Sequence, residues 1–232
     1  MRRAIGRLRE DQRGATMMEL LVSMAAGMTV MVGLTTLVLV TFQTTSRVSA
    51  RVDATQQARL AMTRVIDQLH SACIAPKVPP IRQSSSGSEL RFVHASGAAV
   101  VPVPVLSVIS FDAAKGTLSQ ADYQWQSGNA PFWVFQATPS RNVLLTDRIS
   151  AIGSKPVFSY YGYASGAVSA TPQLTPLSEL DASRTIHVSA VFKTSSRLDN
   201  GEDATPARIQ GGATLRLTAS SYNPNAPSLP CQ

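Results

Sequence analysis

Polar and apolar positions fall into three regimes along the chain. From 15 to 42 the side chains are Met, Leu, Val and Ala with scattered Thr, Ser and Gly, and Glu19 is the single charge among 28 residues. A run apolar on every side predicts a helix in apolar surroundings. At about 1.5 Å per residue, its first 26 residues reach roughly 39 Å, more than the apolar core of a bilayer at about 30 Å. Beyond Phe42 the apolar positions narrow to a stripe. Met62, Val65, Ile66, Leu69 and Cys73 recur at helical spacing, while Arg59, Arg64, Asp67, Gln68 and Ser71 fall elsewhere. Val48 and Val52 carry the register more weakly upstream. No proline intervenes before Pro76 and the pair Pro79-Pro80, so one helix is predicted over about 15–74, with its amphipathic part, 43–74, packed on a sheet.

From residue 88 the pattern changes to short alternating runs divided by turn residues, as antiparallel strands require. Strands are predicted over 89–93, 105–111, 117–124, 157–163, 185–193 and 214–220. The clearest hairpin joins the second and third at Asp112-Ala113-Ala114-Lys115-Gly116, where Asp opens the turn and Gly takes a positive φ at its close. One long helix followed by strands, without βαβ alternation, is the α+β class. Residues 75–232 are enough for one β-rich domain with a core.

Charge sharpens the picture at the N-terminus. The net charge of +7 divides as +3 in residues 1–14, +1 in 15–74 and +3 in 75–232, so much of the basicity sits in a short leader holding Arg2, Arg3, Arg7, Arg9 and Arg13. Cytoplasmic flanks are enriched in Arg and Lys, which predicts a single-pass protein of the cytoplasmic (inner) membrane, N-terminus in the cytoplasm and domain outside. The run is too long for an ordinary secretory signal. A carboxylate in a membrane helix costs about 2.5–3.5 kcal/mol at mid-depth and less near an end, so Glu19 calls for a partner or a role.

The junction Arg13-Gly14 followed by Ala15-Thr16-Met17-Met18-Glu19-Leu20-Leu21-Val22 resembles the type IV prepilin family. The resemblance implies cleavage by prepilin peptidase between Gly14 and Ala15, N-methylation of Ala15, and Glu19 as the fifth residue of the mature chain, where it serves subunit assembly. Ala15 stands where the family usually has Phe, and Met17-Met18 where it has an aliphatic pair. Cleavage would leave an α-amine one helical turn from Glu19, able to pair with it within one chain or between chains. Residues 59–69, with the phrases Ile109-Ser110-Phe111-Asp112, Val157-Phe158-Ser159-Tyr160-Tyr161 and Ile186-His187-Val188-Ser189-Ala190-Val191, resemble PilW-type minor pilins and the J-type minor pseudopilins of type II secretion.

The function expected is therefore that of a minor pilin or pseudopilin, an assembly subunit and not an enzyme. Its expected partners are prepilin peptidase, other pilin or pseudopilin subunits, membrane lipid and, indirectly, the inner-membrane assembly platform with its motor ATPase. The rivals are an unprocessed single-span anchor carrying a binding domain, an anchored enzyme, and a competence minor pilin aiding DNA uptake.

The remaining chemistry adds little. Cys73 and Cys231 suit an oxidising compartment either as one disulfide, contributing on the order of 4–5 kcal/mol in the chain-entropy model, or as two free thiols. His70, His94 and His187 lie at no sequence spacing that implies catalysis, and no Gly-x-Ser-x-Gly, His-Glu-x-x-His or phosphate-binding loop occurs. No cofactor or metal is expected: Asp199-Asn200-Gly201-Glu202-Asp203 lacks the spaced ligand set of an EF-hand and reads as a polar turn. Twelve basic residues dispersed among nine acids in 75–232 form no nucleic-acid footprint. Trp125, Phe132, Trp133 and Phe135, the densest aromatic group, read as core or subunit contact.

Overall fold

A computed structural model describes residues 16–72, 79–96, 103–128, 132–164, 166–194 and 206–215. Helix α1, Met17–His70, is followed by β1 (Glu89–Ser96), β2 (Val103–Asp112), β3 (Thr117–Ser127), β4 (Val134–Phe135), β5 (Arg141–Thr146), β6 (Ile149–Ser150), β7 (Phe158–Ala164) and β8 (Ala167–Val168). Helix α2 (Glu179–Arg184), β9 (Thr185–Thr194) and β10 (Arg208–Thr214) complete the order. This is the α+β class that the pattern predicts, consistent with a pilin-like fold.

The chain divides into two compact units, residues 1–48 and 49–232, and α1 contributes to both. In the first, every residue from 16 to 48 is exposed. Its most apolar window has a mean hydropathy of 1.9, long and apolar enough to cross a membrane. The hydroxyls of Thr29, Thr35, Thr36, Thr41 and Thr44 each donate to a carbonyl one turn earlier at 2.8 Å, and that of Ser23 does so at 2.9 Å. Each polar group is thereby satisfied by the helix that carries it, which removes the penalty of placing a bare hydroxyl in apolar surroundings.

In the second unit α1 ends earlier than 74. The Ser71 amide is shared between the carbonyls of Asp67 and Gln68, both at 3.1 Å, and Ala72 already pairs antiparallel with His94. Of the predicted stripe, Met62, Val65 and Leu69 are buried and Ile66 is partly so, while Val52 is exposed; along residues 49–70 the buried positions are Ala58, Ala61, Met62, Val65 and Leu69. Four of them, Ala58, Met62, Val65 and Leu69, share one core with Leu90 and Phe92 of β1, Ile109 of β2, Phe158 and Tyr160 of β7, Phe192 of β9 and Ile209 of β10.

Both sheets are antiparallel. The first runs β1-β2-β3, with β4 and β5 each paired to β3; the second runs β10-β9-β7-β8, with β6 paired to β9. The 112–116 turn forms as expected: Asp112 Oδ1 accepts from the amides of Ala114 (2.9 Å) and Lys115 (3.1 Å), and Gly116 has φ +64°. A second glycine position has a different cause. A Cβ on Gly211 would stand 2.7 Å from Ile66 Cδ1 and 2.9 Å from Met62 Sδ, so the side chains of α1 press directly on the β10 backbone. The segment before β1 joins the sheets. Phe158 N donates to Gly87 O at 2.9 Å, and the buried Tyr160 hydroxyl donates to the carbonyls of Ser86 (3.0 Å) and Glu89 (2.9 Å). Burial pushes that phenol far above its ordinary pKa.

The last strand departs from expectation. β10 lies at 208–214, so the predicted strand over 214–220 meets it only at Thr214, and Gly211 and Gly212 stand inside it. Residues 216–220 lie outside the described residues.

Candidate functional site

Two places gather chemistry: the head of α1 and a buried polar cluster in the first sheet. At the head of α1, Thr16 precedes the first helical residue. Its carbonyl accepts from the amides of Glu19 (2.9 Å) and Leu20 (3.1 Å), and its hydroxyl oxygen accepts from Glu19 N at 3.4 Å. Thr16 is therefore the N-cap and Glu19 the third helical residue, the Thr-x-x-Glu spacing of a capping box. A carboxylate here faces the positive end of the helix dipole, which lowers the cost of its charge. Sequence reasoning placed Glu19 near the end of the run and missed the cap, although Thr16 and Glu19 carry the signal. Gly14, Ala15, Cys73, Cys231 and Asp199 to Asp203 lie outside the described residues. The strands flanking the last of these segments, β9 and β10, are hydrogen-bonded neighbours.

The second place has no counterpart in the sequence spacing. Register sets Phe92 opposite Ser107 and Ser107 opposite Asp122, and it brings His94, Ser107, Gln120 and Asp122 together across β1, β2 and β3. Ser107 Oγ donates to Asp122 Oδ1 at 2.5 Å, and Gln120 Nε2 donates to the same oxygen at 2.6 Å. Gln120 Nε2 also stands 3.3 Å from Ser107 Oγ. His94 Nε2 lies 2.9 Å from Ser107 Oγ; since the serine proton points at Asp122, the imidazole supplies the proton of that contact. Ser107 is fully buried and Gln120 is 1% exposed. Gln120 Oε1 has no hydrogen-bond partner among the described residues, a state that costs about 1–3 kcal/mol.

Ser, His and Asp here do not form an acyl-transfer triad. In that arrangement imidazole sits between carboxylate and hydroxyl; here the hydroxyl is in the middle and solvent does not reach it. The other histidines lie elsewhere. His70 is exposed, and half-buried His187 has Nδ1 3.0 Å from Thr214 Oγ1, with burial lowering its pKa.

A wide groove of about 710 Å³ beside α2 is lined by Tyr163, Gln173, Leu174, Asp181 and Arg184. Gln173 in its wall is held on both sides: its Nε2 donates to Asp181 O (3.0 Å), and its Oε1 accepts from Thr185 Oγ1 (2.7 Å). Of the aromatic group, Trp133 is buried, while Phe132 is 81% and Trp125 40% exposed. Among the described residues no group of three His, Cys, Asp or Glu could hold a metal ion.

No protein-family model matches the chain, and no curated protein or solved structure matches it significantly. The architecture stands on its own geometry: a long N-terminal helix, apolar over its first part and packed over residues 49–70 on antiparallel strands.

Proposed function

We propose that this chain is a minor pilin or pseudopilin, processed by prepilin peptidase after Gly14 and incorporated into a type IV pilus or a type II secretion-like filament. The observation that carries the reading is the order of features at the N-terminus. An Arg-rich leader ends in Gly14, and a single carboxylate follows at Glu19, the third residue of a helix whose next 29 residues are exposed and mostly apolar. In this reading Ala15 is the methylated new terminus. Residues 15–42 hold the subunit in the inner membrane, an assembly platform and its motor ATPase extract it, and the same helix then packs among other subunits. Glu19 serves docking by meeting the amine of a neighbouring subunit. The exposed Phe132 and Trp125 are candidates for a further subunit contact.

The deciding experiment is the N-terminus and intact mass of the protein from membranes of its own host. A chain starting at Ala15 is expected; one starting near Met1 is an uncleaved anchor and overturns the reading. Two substitutions separate docking from capping. Glu19→Ala removes both and is expected to leave insertion and cleavage intact while abolishing filament incorporation. Glu19→Gln keeps a side chain able to complete a capping box but lacks the charge; normal incorporation of this variant would refute charge pairing as the role of Glu19.

A further inference from the structure

We propose that the groove beside α2 receives the outer edge of β5 from a second copy of this chain, with Leu144 of one copy lying on Leu174 of the next and Asp147 meeting Arg184. The polar groups of the groove are largely committed within their own chain. The hydroxyls of Tyr163, Ser169 and Ser183 donate to the carbonyls of Gly166 (2.9 Å), Thr171 (3.0 Å) and Leu180 (2.7 Å). Asp181 Oδ2 accepts from Ser178 Oγ at 2.7 Å, inside the cap of α2. What is left for a guest is apolar surface, Leu174 at 88% and Tyr163 at 62% exposed. Beside it stands the Arg184 guanidinium, with no ion pair or hydrogen bond among the described residues. A polyhydroxylated ligand would find few open partners here, and a single cation is no track for a nucleic acid. An apolar segment carrying one carboxylate fits.

The chain itself offers that segment. Glu89 is ion-paired with Arg91 and Asp112 with Lys115, and Glu179 acts on Arg82. Asp147 is exposed and its carboxylate has no such partner: neither its neighbour Arg148 nor any other described cation pairs with it. It directly follows β5, which pairs with β3 alone among the described residues and so forms an edge of the first sheet. Leu144 on that edge is 58% exposed, three residues before the carboxylate. Sheet edges are ordinarily covered or blunted by charge, so an apolar side chain exposed beside an unpaired acid marks a contact surface. Groove and edge are different surfaces, which makes the contact heterologous: each copy keeps one of the two open, and copies add head to tail.

The test uses the purified full-length chain in detergent. Equal amounts of Leu144→Cys and Leu174→Cys chains are mixed, oxidised and digested with trypsin; both positions are exposed, so neither substitution touches the core. A disulfide is expected between peptides 142–148 and 149–184, and since each chain carries only one of the two new cysteines, that link joins different copies. Cys73 and Cys231 fall in other peptides. Arg184→Asp or Asp147→Arg, introduced into both chains, should lower the yield of the link about tenfold, and both reversals together should restore it. Direction is read by splitting the reversals. With Leu144→Cys on the Arg184→Asp chain and Leu174→Cys on the Asp147→Arg chain the link should form, because that pair keeps one native contact; with the cysteines exchanged it should not. Absence of the 144–174 link, a yield indifferent to both reversals, or equal yields with the cysteines exchanged overturns the proposal. The outcome is independent of processing: a chain that begins near Met1 leaves this test unchanged, and a missing link leaves cleavage after Gly14 untouched.

Discussion

Residues 17–48 and 49–70 belong to one helix, yet they solve different problems. The first stretch is apolar on all sides as far as Phe42, is exposed throughout, and satisfies its hydroxyls on its own carbonyls. The second is apolar on one stripe, and that stripe is buried in a core built with two sheets. Backbone hydrogen bonding is the same in both, so helix formation does not separate them; the distribution of apolar positions does. An all-round apolar helix suits surroundings that are apolar on every side, whereas a stripe suits one protein face and water elsewhere. Substitutions in the two stretches should therefore be read by different measurements.

The largest difference is expected from core truncation. Leu69→Ala empties a buried site and should lower the unfolding free energy of the 49–232 unit by about 2–5 kcal/mol. Leu34→Ala, at a residue 54% exposed, should leave that value within about 0.5 kcal/mol. Denaturant unfolding of the full chain in detergent measures both, and equal losses would break the comparison.

Introduced charge should invert the ranking. Met28→Arg places a guanidinium near the middle of the apolar run and is expected to cost about 2.5–3.5 kcal/mol of insertion, on the order of a hundredfold in the membrane-integrated fraction. Leu60→Arg, at an exposed position of the second stretch, should change neither insertion nor unfolding measurably. Carbonate extraction of membranes separates these outcomes, and loss of insertion by Leu60→Arg would move the apolar boundary past residue 42.

Glycines sharpen the contrast further. Gly33 has nothing within 4 Å of an added Cβ, so Gly33→Ala should be tolerated and should firm the helix by up to about 1 kcal/mol. Gly211→Ala drives a methyl into Met62 and Ile66 and should cost about 1–3 kcal/mol by overpacking, read as a fall in the denaturant midpoint.

How much of this was legible in the sequence follows from the range of the interactions. Helix α1, the 112–116 turn and the central strands β2, β3, β7 and β9 were legible because periodicity and turn residues are local signals. β5 was not: Arg-Asn-Val-Leu-Leu-Thr does not alternate, and it lies largely exposed, paired to β3. α2 has only six residues, and its signal was the Ser178 cap, which accepts from Asp181 N at 3.1 Å. β10 was placed too late in the chain; the glycines inside it answer neighbours that only the fold brings close, Gly211 the side chains of Met62 and Ile66 on α1 and Gly212 the ring of His187 on β9. The capping of Glu19 was readable from Thr16 but was overshadowed by the membrane signal. The polar cluster was out of reach, since residues 13 and 15 apart meet only once strand register is known.

The smallest predicted effect also lies in the 49–232 unit and depends on pH. The Asp112 carboxyl is held below its ordinary value of 3.8, first by the hydrogen bond from the Lys115 amide and also by those of Ala114 and the Lys115 charge. A depressed folded pKa contributes stability that is fully present above the unfolded value and lost as pH falls through the folded one. Asp112→Asn keeps an oxygen able to accept from the turn amides and removes the titration, so its denaturant midpoint should fall less steeply in that acidic window. His187, lowered by burial, acts with the same sign in a higher window: its neutral form is favoured, and the stability it contributes declines as pH drops from above 6.5. Two separate declines, one removed by Asp112→Asn and the other by His187→Gln, would assign each window to its group. A single decline unchanged by either substitution would mean that neither the hairpin turn nor the face of β9 governs the acid sensitivity of the unit.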